Sequence, residues 1–338
     1  MKKYLFTIGI CLMGIALVLS CSKDDDKGNN NNSGQSTLQT DYFTVSTGNG
    51  VRTVNFVNGS FPSATLSEVL ETVTYNARAL AGGNNFIDII STIQYSEFYI
   101  GARGVEGYYL IIPNAPQAVD GRYEYMIPID YTTLFDEDVV MLIAGKNANG
   151  VTKPYSAGVK YVSSQSGDLE VNLTFSNDKD VDLHLVLPDS TRIYWDNRGE
   201  TKIENGDTII CGLDHDSNPA CSIDGLKNEN IVIPADFIQA GTYRVIVNMY
   251  ENCDASTATS WRVQARYKGN IITPKTGVNP ATGVYPVGQD DDDFTEVMTF
   301  VINEGSRTTR ATGYGWKPIQ RSEWDMIKLD EYNYRMGK

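Results

Sequence analysis

From Phe43 to Ile302, apolar residues recur at every second position in short runs, and this period of two constrains the fold more than any other feature. The clearest run sets Val181, Leu183, Leu185 and Leu187 against Asp180, Asp182 and His184. Successive side chains of a strand point to opposite faces, so the first set enters a core and the second shares the other face. Further runs lie at 43–45, 51–57, 98–100, 108–112, 123–129, 139–144, 156–162, 169–175, 192–195, 231–233, 242–250, 260–267 and 295–302, with Pro113, Pro116 and Asp120-Gly121 among the breaks. Short strands at this spacing predict a mainly β chain of two β-sandwich domains, 41–163 and 164–303, meeting near Gly167-Asp168. No strand-helix-strand alternation appears, which excludes a doubly wound nucleotide-binding fold. One segment has helical spacing: Leu66, Val69, Leu70, Val73, Ala77 and Leu80. With Thr65 and Glu68 as a capping box and Gly82-Gly83 as a stop, it predicts an amphipathic helix over 65–81 in the first domain.

The amino terminus gives an address. Lys2 and Lys3 precede an uncharged apolar run, Tyr4 to Leu19. That run is short for a membrane span, which needs about 20 residues, and fits the core of a secretory signal. Val18-Leu19-Ser20-Cys21 resembles the lipobox of bacterial lipoproteins. The resemblance implies that residues 1–20 are removed as a signal peptide and that Cys21 is lipidated. Ser22-Lys23-Asp24-Asp25-Asp26 resembles the acidic export signal of Bacteroidetes surface lipoproteins. It implies a lipid-anchored protein of the outer membrane that faces the cell exterior. Residues 21–40, rich in Asn, Asp, Ser and Gly, have nothing to bury and predict a disordered tether. Loss of residues 1–20 removes two lysines and no acids, taking the net charge from −14 to −16. Such a chain repels nucleic-acid phosphates and favours cations, so no nucleic-acid partner is expected.

Acidic groups supply the chemistry. Asp180 and Asp182 share one strand face, where two carboxylates repel unless a cation or hydrogen-bond donors lie between them. Asp214, Asp216 and Asn218, followed by Asp224, Asn228, Glu229 and Asn230, form an oxygen-rich segment whose first three members stand at every second residue, as calcium loops do. The spacing is not that of an EF-hand, since Pro219 stands where that loop needs Gly and Gly225 where it needs Glu. Asp180, Asp182, Asp214, Asp216 and Asn218 are therefore the expected calcium ligands, forming or flanking one site. Only two histidines, His184 and His215, make zinc the weaker alternative. A third acidic run, Asp290 to Asp293, reads more simply as a solvated turn. Of the cysteines, Cys211, Cys221 and Cys253 remain beyond Cys21. An exported protein permits disulfides, and Cys221–Cys253 is the first pairing to expect, with Cys211–Cys221 as its rival.

Leu173 to Asp189, with Gly212-Leu213-Asp214-His215-Asp216, Asn228-Glu229-Asn230-Ile231 and Gly241-Thr242-Tyr243-Arg244-Val245, resembles the YfaP-like β-domains of bacterial surface proteins. The likeness covers about 169–303. It implies a β-sandwich and no particular reaction. Nucleophile elbows, Walker loops and His-Glu-x-x-His are all missing from the sequence. Tyr194 and Trp195, beside Asp196-Asn197, have the aromatic and polar character that suits sugar or peptide recognition, although a tryptophan here fits a core equally well. The tail, 304–338, carries Trp316, Trp324, Tyr332 and Tyr334, and its aromatic character predicts docking on the body. The functional expectation is a non-enzymatic binding or adhesion module, with a calcium site, for an extracellular glycan or envelope protein. A structural subunit of an envelope complex and a carboxylate hydrolase using Asp182 with Asp214 are the alternatives. Replacing Asp24, Asp25 and Asp26 with alanine is expected to leave the protein in the membrane but hidden from protease added to intact cells. Protease resistance of the unaltered protein would remove the surface assignment.

Overall fold

The computed structural model describes residues 37–48, 50–116, 118–287, 293–304, 316–321 and 323–335. The expected signal peptide 1–20, the expected lipidation site Cys21 and most of Asp290–Asp293 lie outside these residues. Over the described residues the chain is mainly β, with four sheets packed as sandwiches.

In the first sandwich, one sheet runs in the order 43–45, 122–131, 84–91, 72–75. Its partner runs 51–57, 108–113, 97–102, 139–147, 155–162, 78–80, antiparallel except for the last, parallel pair. Ile87, Ile89, Phe98, Ile100, Ile127 and Ile143 meet between them in one core. Each such side chain, once buried, stabilises by about 1.5–3 kcal/mol. Leu38, in a turn spanning Leu38–Tyr42, is buried in the same core, so order begins before the expected end of the tether at residue 40.

The helix expected at 65–81 does not form. Residues 72–75 and 78–80 are strands, and the segment before them is irregular. The capping signal serves a different purpose. Thr65 and Leu66 donate their backbone N–H groups to Val151 O, while Thr65 Oγ1 accepts from Val151 N. Of the apolar stripe, Leu70 and Leu80 are buried but Val69 is half exposed. The β-branched and aromatic run Thr72-Val73-Thr74-Tyr75 instead pairs with 87–90, where such side chains fit the pleated surface.

The second sandwich pairs a sheet ordered 270–271, 259–267, 169–175, 228–233, 207–215, 199–204, 317–318 with one ordered 192–193, 180–186, 241–251, 293–302, 276–277. Val181, Leu183 and Leu185 face Phe175, Trp261 and Val263 in its core, as the alternation requires. The tail contributes an edge strand, Lys317–Pro318, and a helix, Glu323–Arg335, which no Pro or Gly interrupts. Trp316 packs edge-on against Phe237, ring centroids 4.4 Å apart. Tyr334, by contrast, stands 87% exposed.

Polar contacts join the two sandwiches. Asn228 donates to Asn85 Oδ1 (2.8 Å), and Asn84 Nδ2 to Asn172 Oδ1 (3.1 Å). Arg262 Nη2 donates to Asp130 Oδ1 (3.0 Å), and Arg266 Nη1 to Gly82 O (2.7 Å). Asp88, half-buried on the strand at this junction, is pushed up to about 7 by burial, which Lys227 opposes only in part. A carboxyl whose folded value lies above its unfolded one stabilises below the unfolded value and loses that contribution as pH rises through the folded one. Between pH 4 and pH 8 the wild type is therefore expected to lose up to about 4 kcal/mol relative to Asp88→Asn, read from urea unfolding at each pH. Parallel pH profiles for the two proteins would refute this.

Candidate functional site

The strand 180–186 is buried on both faces. Its polar face does not reach solvent because the tail helix closes over it. Lys328 of that helix is fully buried, and its Nζ donates to Asp180 Oδ1 at 3.1 Å and Asp182 Oδ1 at 2.5 Å. The ammonium also lies over the rings of Tyr250 (4.2 Å) and Trp195 (5.3 Å). Tyr250 Oη in turn donates to the backbone oxygen of Lys328 (2.9 Å), fixing the helix turn that carries it. The cation that two adjacent carboxylates demand is thus, in the first place, a side chain from 146 residues downstream.

The opposite oxygen of Asp180 accepts from Ala220 N (2.8 Å). That N–H is delivered by a sharply folded loop in which Asn218, Ala220 and Cys221 all take left-handed backbone conformations. Each such residue costs roughly 1–2 kcal/mol. The Cys221–Cys253 disulfide ties this loop down, as the first of the two sequence pairings required, while Cys211 remains a buried thiol. Closing a loop of 32 residues stabilises by roughly 3–4 kcal/mol in the chain-entropy account.

The strand 180–186 pairs with 192–193 only through Leu185 and Val186, which leaves its earlier edge open. Glu229, from the other sheet, fills that edge: its Oε2 accepts from Leu183 N at 2.6 Å. Asp182, Asp216 and Glu229 each bring a carboxylate oxygen to within 4.8 Å of the others. Glu229 Oε1 is buried and has no hydrogen-bond partner. Together with Asp180, four carboxylates surround one ammonium.

Electrostatics follow from this crowding. Burial, with Asp182 and Asp216 close by, holds Asp180 well above the usual carboxylate range despite Lys328. Burial raises Asp182 as well, against the pull of Lys328. Glu229 is held well above its ordinary value by burial and then by Asp216 and Asp182. Burial alone would lower Lys328, but Asp180, Asp182, Asp216 and Glu229 outweigh it and hold the ammonium well above its ordinary value. Neutrality at pH 7 requires either shared protons or further positive charge.

The structure divides the expected ligand set. Asp180, Asp182 and Asp216 converge, but Asp214 does not join them. Its Oδ2 accepts from Gln165 N (2.8 Å) and lies 3.5 Å from His215 Nε2. Asn218 is spent on the backbone, donating to Lys179 O and accepting from Asp224 N. His184, on the same strand face, stacks on Tyr194 and is held neutral by burial. Trp195 is 4% exposed and packs against Tyr250, so it presents no face to a ligand; Tyr194 is half-buried beneath Arg192. Sequence reasoning grouped Glu229 with the oxygen-rich segment without making it a ligand, and it missed Lys328. Glu229 sits in an Asn-Glu-Asn triplet inside a strand, an odd place for an acid unless something holds it.

A second feature lies at the junction of the sandwiches, a cleft of about 580 Å³. Its floor holds Asp130, Arg262, Gln264 and Arg266, and its rim is mostly Thr and Ser with Ile271 and Pro280.

No family model matches the chain, and no curated protein matches it. Among solved structures it shows similarity to the crystal structure of a GH family 64 laminaripentaose-producing β-1,3-glucanase from Paenibacillus barengoltzii, at 11% identity and a TM-score of 0.19. The similarity covers 66% of this chain, and this chain spans 57% of the length of that one. A likeness at that TM-score carries no argument about fold or activity.

Replacing Lys328 with methionine strands the buried carboxylates. A loss of about 3–5 kcal/mol is expected at neutral pH. The loss should shrink as pH falls, because protonated carboxyls no longer need an ammonium. Urea unfolding at pH 8 and pH 5 checks both; a loss independent of pH would reject the electrostatic account.

Proposed function

We propose that the protein is a lipid-anchored, non-enzymatic binding module on the outer face of the outer membrane, its second sandwich set by a calcium ion held by Asp182, Asp216 and Glu229. The observation that carries this is the closed carboxylate cluster: Asp180, Asp182 and Glu229 are at most 1% exposed and lie under the tail helix. A hydrolase needs its acid and base within hydrogen-bond reach of substrate. Carboxylates sealed in this way suit an ion that braces the fold.

The donor set fits calcium. Oxygens coordinating one ion at 2.3–2.6 Å lie at most about 5 Å from one another, and the three carboxylate oxygens satisfy that spacing. Lys328 takes Asp182 through Oδ1, leaving Oδ2, beside Asn248, to face a second cation. A divalent ion beside the ammonium brings four carboxylates close to neutrality without protons. The address comes from the resemblance of Val18–Cys21 and Lys23–Asp26 to surface-lipoprotein signals, and an extracellular glycan or envelope protein is the partner that such a location offers.

Thermal unfolding in millimolar calcium against chelator tests the ion. Binding to the native state alone stabilises by about 2.7 kcal/mol at one hundred times the dissociation constant. A rise of several degrees in Tm is expected, absent in Glu229→Gln. An unchanged Tm, or a rise that survives the substitution, would reject the site.

A further inference from the structure

We infer that the cleft between the sandwiches is the ligand seat, and that its ligand is a neutral polyhydroxylated molecule of the oligosaccharide class. The inference rests on the reading of the chain as a binding module and names where and what it binds. Three buried side-chain atoms lack hydrogen-bond partners and belong to residues lining this cleft: Thr132 Oγ1, Arg262 Nε and Gln264 Oε1. Arg262 and Gln264 are 3% and 4% exposed. Buried polar atoms left unpaired cost about 1–3 kcal/mol each, so three at one cleft mark a place where partners arrive from outside the chain.

The chemistry of the three atoms narrows the partner. An N–H donates, an amide oxygen accepts, and a hydroxyl does both. A sugar hydroxyl is likewise donor and acceptor at once, and adjacent hydroxyls match such a mixed set. Charge narrows it further. Arg262 is neutralised by Asp130, which it contacts through both carboxylate oxygens at 3.0 and 3.2 Å. Arg266 donates to Gly82 O and is flanked by Glu170 and Asp130. With both guanidiniums already balanced, the cleft offers no surplus positive charge to an anion. Its volume, about 580 Å³, lies within the range of small-ligand sites, and Ile271, 47% exposed, gives the rim an apolar surface for a sugar face. Thr132 comes from the first sandwich and Arg262 and Gln264 from the second, so a bound ligand would join the two.

The test uses the full lipidated protein in detergent on an array of neutral and acidic oligosaccharides, with Thr132→Val and Gln264→Met as near-isosteric variants. Melting curves establish that both variants fold. Binding of neutral glycans is expected, weakened about tenfold in each folded variant. Equal binding by wild type and both folded variants would overturn the seat and leave the binding-module reading standing. Binding of acidic glycans alone, or no glycan bound while a stoichiometric protein partner is captured from envelopes, would overturn the ligand class and again spare that reading. Binding of neither glycan nor protein would overturn both. Should Gln264→Met fail to fold, Thr132→Val at the partly exposed rim decides the question by itself.

Discussion

Everything on the polar face of the strand 180–186 depends on one buried ammonium. A strand whose two faces are both covered must hide Asp180 and Asp182 from water, and taking an unpaired carboxylate out of water costs more than any packing gain nearby can return. Lys328 resolves this only because Tyr250 and Trp195 shape a socket for its charge and because Tyr250 fixes the helix backbone behind it. The tail helix, the disulfide-tied loop and Glu229 are then each placed by a demand of the same cluster. The helix supplies charge, the loop supplies an N–H to Asp180, and Glu229 supplies an acceptor to the open edge at Leu183.

The period-two pattern made the sandwiches legible, because the rule is local: Val181, Leu183 and Leu185 enter the core whatever lies elsewhere. The failed helix at 65–81 shows the limit of local rules. Its stripe at Leu66, Leu70 and Leu80 has helical spacing, yet Thr65 spends its hydroxyl and its N–H on Val151, a residue 86 positions away. Long-range pairing settles such a segment, and periodicity does not see it. The sequence around Asp180 and Asp182 announced that a cation was needed. It did not announce which one, since Lys328 lies in a distant segment and no spacing links it to Asp182. Asp214 and Asp216, two residues apart, part company at the irregular end of their strand, where the pairing register shifts between Leu213 and His215.

The junction between the sandwiches follows a different logic from the cores. Asn84, Asn85, Asn172 and Asn228 join through amide hydrogen bonds, and Arg262 with Asp130 adds a buried ion pair. Such contacts are directional, so they hold one relative placement of two sheets more strictly than apolar contact does. They also leave polar atoms at the margin of the interface, which is where the cleft lies.

The separation in sequence between Lys328 and its carboxylates has a temporal consequence. A chain is made and moved from its amino terminus, so Asp180 and Asp182 emerge some 146 residues before the lysine that neutralises them. Until Lys328 arrives the second sandwich gains its strands without its charge balance, and it cannot close the polar face of the strand 180–186. The second sandwich therefore carries its own timer: a helix that arrives after its strands is the one that seals it, and a copy cut before that helix lacks the seal.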